Sequence, residues 1–191
     1  MLRIGIDIDD TLTNTSELLT EMAYKYDKDY SNNNHVINNI PALVRGLFDD
    51  EILNQFYIDH VIELGNNVKV KEDAKEVIDK LISEGHEIIF ITARSEKFYP
   101  DTENFNKEYL KINNIKYNKL ICGQTYKIET CKKENIDIMF DDAVDTCESL
   151  NENNIKAVVF TSNINKERET KCDRVSSWNE LYTYVNNFIK K

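Results

Sequence analysis

Four short apolar runs punctuate the chain, at residues 2–8, 87–92, 137–140 and 156–161, with a weaker fifth at 119–122. They are rich in Ile and Val and bounded by polar residues, as parallel strands covered on both faces are. Between them apolar positions recur with the helical period. Ala74, Val77, Ile78, Leu81 and Ile82 follow i, i+3, i+4, i+7, i+8, and Gly85 supplies the C-terminal stop. Ala143, Val144, Cys147 and Leu150 make a second stripe, and Trp178, Leu181, Tyr182, Val185 and Phe188 a third. Strand–helix alternation predicts an α/β fold built on a doubly wound parallel sheet.

Residues 14–69 break the alternation. They open with a helix carrying Leu18, Leu19, Met22, Ala23 and Tyr26 on one face, continue through a polar loop with Asn32-Asn33-Asn34, and hold two or three more short helices. One of these is predicted to start at Pro41, where the missing N–H costs nothing. The stretch reads as a small helical insertion after the first strand, with residues 1–13 and 70–191 forming the core domain. No internal repeat is visible.

At 191 residues and 41% hydrophobic content, the chain suits one domain with an insertion and is too apolar to be disordered. Its formal charge of −10 gives no footprint for nucleic acid polymers or an anionic membrane surface. Any phosphate site must therefore create its own local positive potential. The four cysteines form no Cys-x-x-Cys pair and have no nearby histidine, which argues against zinc and for free thiols in a reducing cytosol. With no cleavable leader pattern and no apolar stretch of about 18 residues, a cytoplasmic location is expected.

In such a sheet chemistry sits at the carboxyl ends of the strands. The first strand ends Asp7-Ile8-Asp9-Asp10-Thr11, the second Thr92-Ala93-Arg94, the fourth Asp141-Asp142. Either acidic group alone could cap the following helix. All three clusters on one edge point further, because crowded carboxylates repel unless a cation joins them, and oxygen-only ligands favour Mg²⁺. Asp7 and Asp9 are two apart, so a regular strand directs them to one side. One can bind metal and attack phosphorus while the other, kept protonated, supplies a proton to the leaving oxygen. Asp7, Asp141, Asp142 and a phosphate dianion sum to about −5 against +2 from the metal, so a lysine is needed as well. Lys127, opening the helix before the fourth strand, is placed to reach this edge; Lys119, at the start of its strand, is the competitor.

Together these residues resemble the haloacid dehalogenase superfamily, whose Asp-x-Asp-x-Thr, strand-ending Thr or Ser, Lys and paired acidic motif occur here in order: Asp7/Asp9/Thr11, Thr92, Lys127, Asp141/Asp142. The resemblance implies a Rossmann-like fold and an Mg²⁺-dependent phosphomonoesterase forming a phospho-aspartate. By that likeness Asp7 is nucleophile and metal ligand, and Asp9 is the general acid/base with its carbonyl on the metal. Thr92, Ala93 and Lys127 hold the phosphoryl oxygens, Asp142 completes the metal shell, and Asp141 and Thr11 support it. The insertion is, by the same resemblance, a cap over the active site, and a closed cap favours small phosphate esters.

The strings Ile6-Asp7-Ile8-Asp9-Asp10-Thr11-Leu12, Ile91-Thr92-Ala93-Arg94, Ile138-Met139-Phe140-Asp141-Asp142 and Val175-Ser176-Ser177-Trp178 are similar to the bacterial branch of the 5′(3′)-deoxyribonucleotidase family. That likeness implies a nucleoside monophosphate substrate. The alternatives are a sugar phosphate or phosphoglycolate phosphatase, or a non-catalytic binding protein on this fold. Ala93-Arg94 departs from the small residue and proline of better-known members, so Arg94 either binds a second anionic group or pairs with an acidic neighbour. The rings Tyr24, Tyr26, Tyr30, Phe48, Phe56 and Tyr57 enrich the insertion, and Arg45 and Phe48 are candidates for substrate contact. Trp178 and Asp10 read as structural.

Overall fold

The computed structural model describes residues 1–26 and 50–189. Six strands form one sheet: β1 (Arg3–Ile6), β2 (Glu87–Ile91), β3 (Lys119–Ile121), β4 (Ile138–Asp141), β5 (Ala157–Phe160) and β6 (Arg174–Val175). Their order is β3-β2-β1-β4-β5-β6, every pairing parallel. The described helices are α1 (Thr15–Tyr26), α2 (Asp50–Asn67), α3 (Ala74–Ser83), α4 (Thr102–Ile112), α5 (Ile128–Lys133), α6 (Val144–Glu152) and α7 (Trp178–Ile189). The strand order reverses direction between β1 and β4, the switch point where doubly wound sheets bind ligands.

Side chains alternate across the pleat, so each strand feeds two cores. Ile4, Ile6, Ile88, Phe90, Ile138, Phe140, Val158 and Phe160 face α3 and α7, with Ile78, Leu81, Trp178, Leu181 and Val185. Ile89, Ile91, Met139, Ala157 and Val159 face Cys131, Val144, Cys147 and Leu150 of α5 and α6. Most of these are wholly buried, each contributing about 1.5–3 kcal/mol in the large cases. Gly5 lies on the second face. A Cβ there would come 2.6 Å from Met139 Sδ, so β1 carries no side chain where β4 fills the space. Trp178 is core, as its stripe predicts, and its indole also donates to the Thr11 carbonyl (3.2 Å), tying the last helix to the loop after β1.

The chain leaves the core after β1 and returns through an isolated antiparallel bridge between Thr13 and Val70. The Asn14 N–H donates to Lys69 O (2.9 Å) and the Lys71 N–H to Leu12 O (2.8 Å), so the outgoing and returning segments hold each other. Beyond this neck α1 and α2 share their own apolar cluster of Leu19, Ala23, Phe56 and Leu64. Near its end α2 presses on the core at Gly65, where a Cβ would come 2.7 Å from Phe105 Cζ and 2.8 Å from Tyr99 Cε1. The Tyr109 hydroxyl then donates to Val68 O (2.9 Å). The helix expected from Pro41, and the candidates Tyr30, Arg45 and Phe48, lie outside the described residues.

β6 and α4 are the elements that the periodicity did not announce. All four cysteines are free, and among the described residues no helix is long and apolar enough to cross a membrane.

Candidate active site

The parallel order sets β1 between β2 and β4 and brings Asp7, Thr92 and Asp141 to one edge. Asp7 follows the last residue of β1 and donates its N–H to Phe140 O (2.9 Å), which locks it beside β4. Lys127, immediately before α5, reaches this edge. Its Nζ donates to Asp7 Oδ1 (2.5 Å) and Asp141 Oδ2 (2.6 Å), and all three side chains are more than nine-tenths buried. Lys119 is at the opposite end on Glu134 (2.7 Å), so of the two lysines it is Lys127 that the fold brings to this edge.

Asp141 uses its other oxygen to accept the Ala143 N–H (2.9 Å) and thereby sets the turn into α6. Asn165 donates to the Asp142 carbonyl (2.7 Å) and the Phe160 carbonyl (2.8 Å), bracing the loop that carries the acidic pair. One carboxylate oxygen from each of Asp7, Asp141 and Asp142 lies within 4.8 Å of the others. Three hard oxygens gathered around one ammonium leave uncompensated negative charge. Burial, with Asp141 and Asp9 alongside, pushes the Asp7 carboxyl up to about 7 against the pull of Lys127. Burial and the neighbours Asp141, Asp7 and Asp10 raise Asp142 well above its ordinary value. The donor set, its spacing and this excess charge fit a divalent cation such as Mg²⁺.

Thr92 is wholly buried, and its Oγ1 accepts the Arg94 N–H (3.2 Å), leaving the hydroxyl proton free to donate. Ala93 beside it is exposed. Thr11 is buried, and its hydroxyl has no hydrogen-bond partner among the described residues. Asp10 adopts φ 57°, a left-handed conformation that Asp tolerates better than most residues. Its Oδ1 accepts the Ser16 N–H (2.8 Å) in the first turn of α1, so it acts on structure.

Asp9 differs from expectation. Arg94 donates from Nη2 to Asp9 Oδ1 (2.7 Å) and from Nε to Oδ2 (3.0 Å), and the Thr15 hydroxyl donates to Oδ1 (2.7 Å). Although burial opposes ionisation, the Arg94 guanidinium and these hydrogen bonds hold the carboxyl below its usual value. The expectation that Asp9 is kept protonated is therefore not met in this arrangement, because both oxygens face donors. Arg94 takes the second of the two roles foreseen for it, pairing with an acidic neighbour. Its side chain is only 2% exposed, which leaves no face for direct substrate contact here. A clue lay in the sequence: one arginine two residues beyond Thr92, just past the end of β2, which is the neighbour of the strand that Asp9 follows.

A family profile described as 5′ nucleotidase, deoxy (Pyrimidine), cytosolic type C protein matches residues 1–190. The chain is 29% identical over 200 residues to a nucleotidase of Clostridium acetobutylicum, covering 100% of this chain and 96% of that one. Among solved structures, a haloacid dehalogenase-like family hydrolase from Streptococcus pneumoniae superposes with a TM-score of 0.62 at 11% identity, covering 97% and 98% of the two chains. A hydrolase from Pseudomonas syringae gives 0.62 at 18% identity, covering 98% and 99%. At such identities the two structures speak to the fold, which is that of the haloacid dehalogenase superfamily.

Proposed function

Because the chain belongs to the deoxy (pyrimidine) cytosolic type C 5′-nucleotidase family, we propose that this phosphoric monoester hydrolase is an Mg²⁺-dependent nucleotidase working through a phospho-aspartate. The reading rests on one observation, the buried gathering of Asp7, Asp141 and Lys127 beside Asp142 at the β1–β4 switch point. Asp7, Asp142 and the Asp9 carbonyl would hold the cation, which lowers the charge of the carboxylate cluster and of the incoming dianion. An Asp7 oxygen attacks phosphorus while Lys127, the Thr92 hydroxyl and the Ala93 amide hold the other phosphoryl oxygens. The P–O bond to the nucleoside breaks, and its oxygen takes a proton from Asp9, which first takes that proton up from solvent because Arg94 holds the resting carboxyl ionised. In the second step Asp9 accepts a proton from the water that hydrolyses the acyl phosphate, returning Asp7 as a carboxylate and releasing phosphate.

Residues 14–69 serve in this reading as a cap, joined at the Thr13–Val70 bridge. Tyr57 of α2 and Phe98 of the loop after β2 meet across that seam, ring centroids 5.7 Å apart and both half-buried. In this reading the ring pair borders the substrate, and a π-face there favours a nucleobase, which can stack, over a sugar. The four free thiols suit a reducing cytoplasm.

Phosphate release from a panel of substrates tests the assignment. Deoxynucleoside monophosphates are expected to exceed hexose and triose phosphates in kcat/KM by about tenfold or more, stacking being worth about 1–3 kcal/mol. A preference for a sugar phosphate or phosphoglycolate would move the chain to the alternative substrate class while leaving the chemistry standing. In the same assay EDTA is expected to stop hydrolysis, and Mg²⁺ to restore it. Full activity in EDTA would remove the cation from the mechanism.

A further inference from the structure

Arg94 is built into the protein more thoroughly than an incidental ion pair requires. Its guanidinium hydrogen-bonds two partners that follow or belong to different elements. Nη2 and Nε grip both oxygens of Asp9, after β1, and Nη1 donates to Asn106 Oδ1 (2.9 Å) on α4. Asn106 is wholly buried and anchored in turn by donating to the Thr102 carbonyl (2.9 Å). The guanidinium carbon lies 5.4 Å from the Tyr99 ring centre and 5.7 Å from that of Tyr109. The same two tyrosines bind the insertion to the core: Tyr99 at Gly65, and Tyr109 through Val68 O. Asp9 itself is a third exposed, so a flexible carboxylate would be free to turn into solvent. A two-toothed grip from a planar, buried guanidinium removes that freedom, since a fork fixes direction where a single ammonium does not.

We infer that Arg94 is the positioning residue of Asp9: it fixes the plane of that carboxylate at the active-site edge, and Asn106 with the Tyr99 and Tyr109 rings fixes Arg94. The inference rests on the acid/base role proposed for Asp9 and adds a residue to it. Arg94 acts through Asp9 and touches no substrate. Misplacing a reacting group by about 1 Å costs on the order of 10²-fold, which sets the scale of its contribution.

The test is a double-mutant cycle on the Mg²⁺-loaded, full-length protein, with a deoxynucleoside monophosphate and p-nitrophenyl phosphate as substrates. Arg94→Met is expected to lower kcat on the nucleotide by about 10- to 100-fold with KM nearly unchanged. The loss should be smaller on p-nitrophenyl phosphate, whose leaving group needs little proton transfer. In the Asp9→Asn background the same change should cost almost nothing further, because the group it positions is gone. Arg94→Lys should recover only part of the loss, having the charge without the fork. Multiplying losses in the double variant would show a role independent of Asp9 and overturn the inference. A raised KM at unchanged kcat would do so too, by making Arg94 a substrate contact. Full activity of Asp9→Asn alone would instead remove the acid/base role itself, and the inference with it. Should Arg94→Met fail to fold, Asn106→Ala keeps the ion pair and removes only its brace. A several-fold fall in kcat with the same leaving-group dependence is expected there, and wild-type kinetics would overturn the inference.

Discussion

Asp7→Asn is expected to abolish phosphate release, by more than about 10⁴-fold, while leaving the protein folded. The amide is nearly isosteric, yet it offers a poor nucleophile and a weaker cation ligand, so both functions of the side chain fail together. Stability should move the other way. In the folded chain the Asp7 carboxyl is raised to about 7 by burial and by Asp141 and Asp9. A folded value above the unfolded one means that the ionised group destabilises the fold. That cost begins above the unfolded value, grows as pH rises towards 7 and is then fully present. Replacing the carboxylate with an amide removes the cost, and Asp141 still pairs with Lys127. Without divalent cation, the Tm of Asp7→Asn near pH 8 should therefore equal or exceed that of the wild type. Adding Mg²⁺ should raise the wild-type Tm and leave the variant nearly unmoved. Substantial turnover by the variant would place the nucleophile elsewhere. A Tm several degrees below wild type would show that Asp7 is held for structure.

The sheet was legible because its strands are buried on both faces and so read as unbroken apolar runs. The runs at residues 2–8, 87–92 and 156–161 contain β1, β2 and β5, and the run at 137–140 covers β4 up to Phe140, one residue short of its end at Asp141. Even the weaker run at 119–122 holds β3, at the edge of the sheet. The first run overshoots β1 because Ile8, like Ile6, is wholly buried, so hydrophobicity continues where the ladder has stopped. β6 was illegible because two residues, Arg174 and Val175, carry no periodicity; pairing with β5 defines them. Helix α4 escaped for a different reason. Its inward face includes Thr102 and Asn106, buried polar residues that serve hydrogen bonds, so its apolar stripe is interrupted where it supports Arg94.

The site divides in the same way. Asp7, Thr92, Lys127, Asp141 and Asp142 follow from strand-end punctuation, since a parallel sheet brings those ends together whatever the loops do. Which group pairs with which does not follow. Arg94 could have faced substrate or Asp9, and only the folded chain shows that Asn106, Tyr99 and Tyr109 turn it to Asp9. The resting charge of Asp9 does not follow either: burial alone opposes ionisation, and the Arg94 guanidinium turns the balance the other way. Asp7 and Asp9, two residues apart, are shifted in opposite directions by what surrounds them.

Asp9→Asn should slow turnover of deoxynucleoside monophosphates by about 10²–10⁴-fold, the usual worth of a general acid or base. An alkoxide leaving group cannot depart unprotonated, so alkyl phosphates bear the whole loss. p-Nitrophenolate departs readily, and with that substrate the first step should survive. Hydrolysis of the phospho-aspartate still calls for a base, so a burst of nitrophenolate about equal to the enzyme concentration, followed by slow turnover, is expected. Unlike Asp7→Asn, this variant should be less stable than the wild type. The Asp9 value is lowered in the fold, so its pair with Arg94 stabilises above the unfolded value of 3.8 and is lost as pH falls through the folded one. Breaking a wholly buried pair costs about 3–5 kcal/mol. Asp9 is a third exposed, so solvent screening brings the expected loss well below that range. The Tm difference between the two proteins should accordingly be largest near neutral pH and close in acid. A beryllium fluoride adduct, which mimics the phosphoryl group, should form on Asp7 in the Asp9→Asn protein, because cation and phosphate contacts remain. Equal losses on nucleotide and p-nitrophenyl phosphate with no burst would show that Asp9 transfers no proton, and an adduct on Asp9 in the wild type would exchange the roles of the two residues.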